Sequence, residues 1–155
     1  MNKGKILSIN ITPEEGTALS QVQEIRAVVG KGLEGDRYFF KTGKFSSKPS
    51  SGREVTLIES EAILAAQRDY GIVLKENETR RNLVTENIAL SHLVGKEFFV
   101  GEVLLKGIRL CEPCGYLESL TKVGVKAAYI HRGGLRADIL KEGMIRVGDE
   151  ILMSS

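Results

Sequence analysis

The chain has 155 residues, 42% of them hydrophobic and 27% charged, and a net charge of +2. That is the make-up of one globular domain that can fold round a core without disulfides or a structural metal, and it excludes the strong whole-molecule field that draws nucleic acid. No apolar run reaches the ~18–20 residues that span a bilayer, and the first eight residues carry too little apolar content for a signal peptide. The expectation is a single domain over residues 1–155 in the cytoplasm, with the two cysteines as thiols, a redox pair or metal ligands rather than a structural disulfide.

Residues 5–11 alternate Ile6, Ser8 and Asn10 with Leu7, Ile9 and Ile11 and predict a strand with one apolar face. Residues 13–17 break it. Residues 24–29 alternate again, with Ile25, Ala27 and Val29 on one side, and Gly30, Gly32 and Gly35 interrupt the next stretch. Residues 41–52, rich in Lys, Ser and Gly, read as a mobile surface loop. Residues 53–58 predict a strand. Ser60 then predicts a helix N-cap, with Ala62, Ile63, Ala66 and Tyr70 on one face and Gly71 as a left-handed stop. Two hairpins are expected, one turning at Gly101-Glu102 with type II′ geometry and one at Gly148-Asp149. A short helix is expected over about 125–131, ended by Gly133-Gly134. Many short strands without a βαβα rhythm predict a mostly β, barrel-like fold with two or three short helices.

The run Cys111-Glu112-Pro113-Cys114 is the first candidate site. Pro113 removes a backbone donor and makes the turn rigid. A dithiol redox pair needs the motif at the tip of a βαβ unit, which is missing. Zinc needs four ligands, and His92 and His131 match no finger spacing. A single functional thiolate, as nucleophile or soft metal ligand, stands beside the reading of Cys111 as a small buried hydrophobe. Cys114, next to Gly115 in a turn, suits the core less well. Arginine turns form the second feature: Arg37 in 32–37, Arg80 and Arg81 in 79–82, Arg132 and Arg136 in 131–136, and Arg109 two residues before Cys111. A guanidinium fork matches phosphate or carboxylate, and neighbouring glycines let backbone N–H groups approach an anion.

Eight ordered runs, 32–38, 55–59, 78–85, 93–96, 101–105, 110–114 with Leu117-Glu118, 131–137 and 147–149, cover nearly the whole chain. Together they resemble the MOSC family, the molybdenum-cofactor sulfurase C-terminal domains, and most of all its small stand-alone bacterial members. The resemblance implies a mostly β barrel and a cysteine that binds molybdenum or carries sulfur for it. Cys114 matches the metal-binding cysteine of larger relatives that reduce N-hydroxylated compounds. The pterin-phosphate contacts of the family map onto Arg37, Arg80 and Asn82. The cofactor implied is the molybdenum cofactor, molybdopterin, and the partners implied are cofactor-biosynthesis proteins or molybdoenzymes, with no nucleic acid and no membrane. Three functions stay open: a cofactor-binding or sulfur-carrier domain, a small molybdenum-dependent reductase of N-hydroxylated compounds, and a non-enzymatic binder of another anion or a protein.

Overall fold

The computed structural model describes residues 3–40 and 52–154. The expected surface loop 41–52 lies, except for Gly52, outside the described residues. Among them the strands are β1 (Gly4–Ile11), β2 (Ser20–Val22), β3 (Glu24–Val28), β4 (Gly32–Leu33), β5 (Val55–Glu59), β6 (Leu83–Glu86), β7 (Glu97–Val100), β8 (Val103–Leu110), β9 (Leu135–Lys141), β10 (Gly143–Arg146) and β11 (Glu150–Met153). Four short helices accompany them: α1 (Arg37–Phe40), α2 (Ser60–Tyr70), α3 (Gly115–Leu120) and α4 (Val125–Ala128).

Seven strands close a barrel in the order β11-β7-β8-β9-β5-β6-β1, and β1 returns to β11. Closure removes the free edges that an open sheet exposes. One edge of β1 is shared: β11 pairs with Gly4 and Lys5, and β2 pairs with residues 9–11. A small antiparallel sheet, β10-β3-β4, packs its Ile25, Ala27, Leu33 and Ile145 into the same core as the barrel interior.

Several expectations are corrected. β1 does not have one apolar face. Its pairing with β6 shifts register between Ile6 and Ser8, so Ile6 and Ile9 both enter the barrel core while Leu7 packs outside it. A bulge re-aims side chains in this way. The Gly148-Asp149 turn is no hairpin. β10 pairs with β3 and β11 with β7 and β1, so this turn passes the chain from the small sheet to the barrel. The Gly101 turn is a hairpin, joining Val100 to Val103 with φ +57 at its glycine. Ser60 is the first residue of α2 rather than its cap; Glu59 holds that place without a side-chain bond, and Gly71 ends the helix at φ +67. The helix near 125 stops at Ala128, and α3 is an addition to the expected elements. One βαβ unit is present: β5 and β6 run parallel on either side of α2.

The reason for that unit is a second apolar cluster on the outer wall of the barrel. Ile58 and Val84 point outward from β5 and β6, and meet Ala62 and Ala66 of α2, Leu117 of α3, and Val125, Ala128 and Tyr129 of the α4 region. These strands are buried on both faces, which is why they read as continuous apolar runs. One polar atom is stranded here: the Tyr129 hydroxyl is buried without a hydrogen-bond partner. Burial pushes its pKa up to about 12, against the pull of Arg132 and Arg81.

Removing this hydroxyl removes an uncompensated desolvation. Tyr129→Phe is expected to raise the unfolding free energy by about 1 kcal/mol. Urea unfolding reads it directly, and a loss of stability would mean that the hydroxyl is bonded in solution.

Candidate functional site

The site lies on the barrel rim where β1 and β8 end and β6 and β9 begin. Each strand end delivers a turn to one cleft. The cleft is a shallow cavity of about 50 Å³, open at its mouth, and is lined by Arg37, Tyr38, Arg80, Arg81, Cys114 and Arg136, with Glu15, Glu112 and Tyr116 around them.

Arg81 ties the floor together. Its guanidinium is buried and donates to the carbonyls of Gly133 (2.7 Å) and Cys111 (3.1 Å). The cysteine turn and the turn before β9 are thereby fastened to the start of β6. Gly133 must be glycine, because a Cβ there would run into the Cys111 carbonyl and the Pro113 ring. Glu112 adds a second clamp, accepting the His131 backbone N–H at 2.7 Å while its other oxygen meets the His131 ring at 2.9 Å. That clamp holds His131 at φ +62, a backbone region non-glycine residues seldom enter. Arg80 also sits there, at φ +62.

Arg37 is held by a buried ion pair with Asp36 (3.2 Å), and donates to the Arg80 carbonyl (3.1 Å) with its carbon centre 4.5 Å from the Tyr38 ring. Asp36 accepts the Thr12 and Tyr38 N–H groups as well. Burial raises its pKa above the ordinary value even though Arg37 pulls the other way. Arg80 reaches out to the Thr17 carbonyl at 2.8 Å. Its pKa is lowered by burial first and by repulsion from Arg37 next, so the two cations are close neighbours. Arg136 is half-buried. Burial works against its charge, but Cys111, Tyr38 and Cys114 favour it, and the net shift is upward. Arg136 is therefore within electrostatic reach of both cysteines and Tyr38.

The cysteines differ in reach. Cys111 is 1% exposed and belongs to the interior, whereas Cys114 is partly exposed, precedes α3 and lines the cleft. Among the described residues no three His, Cys, Asp or Glu side chains converge as a metal cluster.

Of the residues singled out in the sequence, Cys114, Arg37, Arg80, Arg81 and Arg136 meet in this cleft. Asn82 does not line it. It is fully buried behind the floor, where its amide oxygen accepts the Thr56 N–H (3.0 Å) and hydroxyl (3.2 Å) and its amide nitrogen donates to the Asn10 carbonyl (3.1 Å). Arg109 is the cross-strand partner of Arg136 and lies outside the lining, against Gly52, where a Cβ would sit 2.7 Å from its guanidinium. Arg132 turns away to the Ala128 carbonyl and Asp69, in a different depression with Tyr70 and Ile130. Tyr38, Tyr116 and Glu15 join the cleft without having been singled out by the sequence. Tyr38 follows Arg37 in a recognisable run, but nothing local marks Glu15 or Tyr116, which meet across 101 positions.

The sequence matches the family model of the MOSC domain over residues 44–152. The chain belongs to the MOSC domain family. Several solved structures share its fold. The YuaD protein from Bacillus subtilis is 16% identical, with a TM-score of 0.76 over 97% of this chain and 94% of that one. YiiM from Geobacillus stearothermophilus is 14% identical, with a TM-score of 0.74 over 98% and 75%. YiiM from Escherichia coli is 18% identical, with a TM-score of 0.69 over 97% and 70%. At these identities the likeness is one of fold. No curated protein sequence matches the chain.

The position of Asn82 in this MOSC domain makes it a pin between β1, β5 and β6. Asn82→Ala leaves the Thr56 N–H and the Asn10 carbonyl short of a partner, and is expected to lower the unfolding free energy by about 2–4 kcal/mol, read from urea unfolding at neutral pH. Asp36 gives a pH signature. Its native pKa lies above the unfolded value of 3.8. As pH rises from 3.8 through the native value, the folded chain keeps a proton that the unfolded chain has lost. This group's contribution to stability therefore falls over that window. In Asp36→Asn that falling component should vanish from a plot of urea midpoint against pH.

Proposed function

We propose that this MOSC domain binds the molybdenum cofactor, with Cys114 as the metal's protein ligand or as a carrier of sulfur for it. The observation that carries the reading is the meeting of four arginines with one partly exposed thiol in a single cleft. A molybdopterin-type ligand is anionic at its phosphate and brings two sulfur ligands to its metal. The donor set fits both halves. Guanidinium groups suit the phosphate, each charge-assisted bond contributing about 1.5–3 kcal/mol. One soft thiolate suits a metal whose other ligands arrive with the cofactor.

The residues have separable tasks in this reading. Arg37 and Arg80, fixed by Asp36 and by the Thr17 carbonyl, would hold the phosphate. Arg81 spends its donors on the cysteine turn and so orients Cys114, while its charge still favours an anion above it. Arg136 stabilises negative charge at the thiol side of the cleft. Tyr38, Leu117 and Leu120 provide the apolar wall a pterin ring needs. When bound, the cofactor supplies the oxygen- or sulfur-transfer chemistry of its metal. Cofactor-biosynthesis proteins or molybdoenzymes are the partners that a carrier of this kind serves.

The two cysteines separate the reading from its rivals. After expression in a host that makes the cofactor, the purified chain is expected to carry molybdenum and pterin. Cys114→Ser should lose the metal, or the extra sulfur atom seen by mass, while Cys111→Ser should keep it at a modest cost in stability. Equal loss in both folded variants would overturn the assignment of Cys114, and a wild-type chain that neither carries nor takes up cofactor would overturn the function.

A further inference from the structure

The cleft contains two carboxylates among its arginines. Glu112 is committed to the His131 backbone and ring. Glu15 is differently placed. It is exposed at the tip of the loop after β1, and its carboxylate accepts the Tyr116 hydroxyl at 2.9 Å. The root of that loop is tied to the cleft, because Arg80 donates to the Thr17 carbonyl at 2.8 Å and the Thr17 hydroxyl donates to the Glu14 carbonyl at 2.7 Å. Gly16, at φ +81, passes beside the Tyr116 hydroxyl. The loop tip and the first turn of α3 therefore close on each other at the mouth, above Arg37 and Arg80.

We propose that Glu15 and Tyr116 form a gate, in which the Glu15 carboxylate holds the place of an anionic ligand and the Tyr116 hydroxyl passes from Glu15 to that ligand on entry. The proposal rests on the reading of the cleft as an anion seat and adds what guards its entry. The pair is joined by a solvent-exposed hydrogen bond, which is easily exchanged in water. The loop tip carries it, so opening moves a few residues while Arg80 keeps the loop root in place. The electrostatics agree: burial, then Glu15, raise the Tyr116 pKa, and Arg80 and Arg37 oppose them, so all four groups share one neighbourhood. A fixed negative charge at the mouth weakens every anion in proportion to its charge, so preference for a doubly charged phosphate monoester over a carboxylate comes from the four arginines, and the gate sets the cost of entry.

The test uses inorganic phosphate and the full chain. Phosphate binding is measured by titration calorimetry, and the Tyr116 environment by fluorine resonances of fluorotyrosine-labelled protein, assigned with Tyr116→Phe. Glu15→Gln is expected to bind phosphate about three- to tenfold more tightly than the wild type, as loss of one nearby like charge dictates. Adding Tyr116→Phe to Glu15→Gln should then weaken binding, because the open gate still uses the hydroxyl. In the wild type, phosphate should shift the Tyr116 resonance. Equal phosphate affinity in Glu15→Gln and wild type, or a Tyr116 resonance blind to phosphate, overturns the gate but leaves the anion seat intact. Failure of every variant to bind phosphate overturns gate and seat together. A chain that binds phosphate through this gate but takes up no molybdenum sustains the gate and overturns the proposed cofactor.

Discussion

The buried guanidinium of Arg81 organises this molecule. It reaches from the start of β6 to two carbonyls, Cys111 at the end of β8 and Gly133 just before β9, and so joins three segments that are distant in sequence. Carbonyl dipoles satisfy two of its donors without cancelling its charge. A buried cation without a carboxylate is costly on its own. The rim offsets that cost through close approach at Gly133 and the Glu112–His131 clamp, which make the carbonyls converge. What remains is positive potential directed into the cleft beside Cys114.

The rest of the barrel serves that rim. Residues 57 and 83 on β5 and β6 face the inner core while 58 and 84 face the helices, so these strands are fixed from both sides. Cys114 touches the outer cluster through its partly buried side chain and meets the cleft with the remainder. The thiol's position is thus set by packing on one side and by the Arg81-bound turn on the other. Asn82 and Asp36 play the corresponding part beneath the arginines. Both are fully buried, and both use their polar atoms to hold backbone rather than ligand. A buried network of this sort rigidifies a site only when each member is satisfied.

Local chemistry makes part of this legible. The type II′ hairpin at Gly101-Glu102, the left-handed stop at Gly71 and the short strands each follow from residue types within a few positions. Arg37, Arg80 and Cys114 are legible from ordered runs resembling the MOSC domain, and Arg81 and Arg136 from charge and placement; all five line one cleft. Arg109 and Arg132 show where reasoning from charge and placement alone falls short. Each looks like its neighbours in sequence, yet Arg132 is captured by Ala128 and Asp69, and Arg109 faces Gly52.

The amino-acid sequence by itself determined the class of fold, the cysteine turn and the basic residues available to it, because strand periodicity, turn residues and proline rigidity act over a few positions. Tertiary structure alone decided how these parts are used. A register shift in β1 sent its side chains to two cores, and chain closure carried β10 and β11 to different sheets. Long-range contacts moved Asn82 behind the cleft and brought Glu15 to Tyr116. Such choices depend on which distant backbone and side-chain groups are left to be satisfied, a quantity defined only once the barrel has closed.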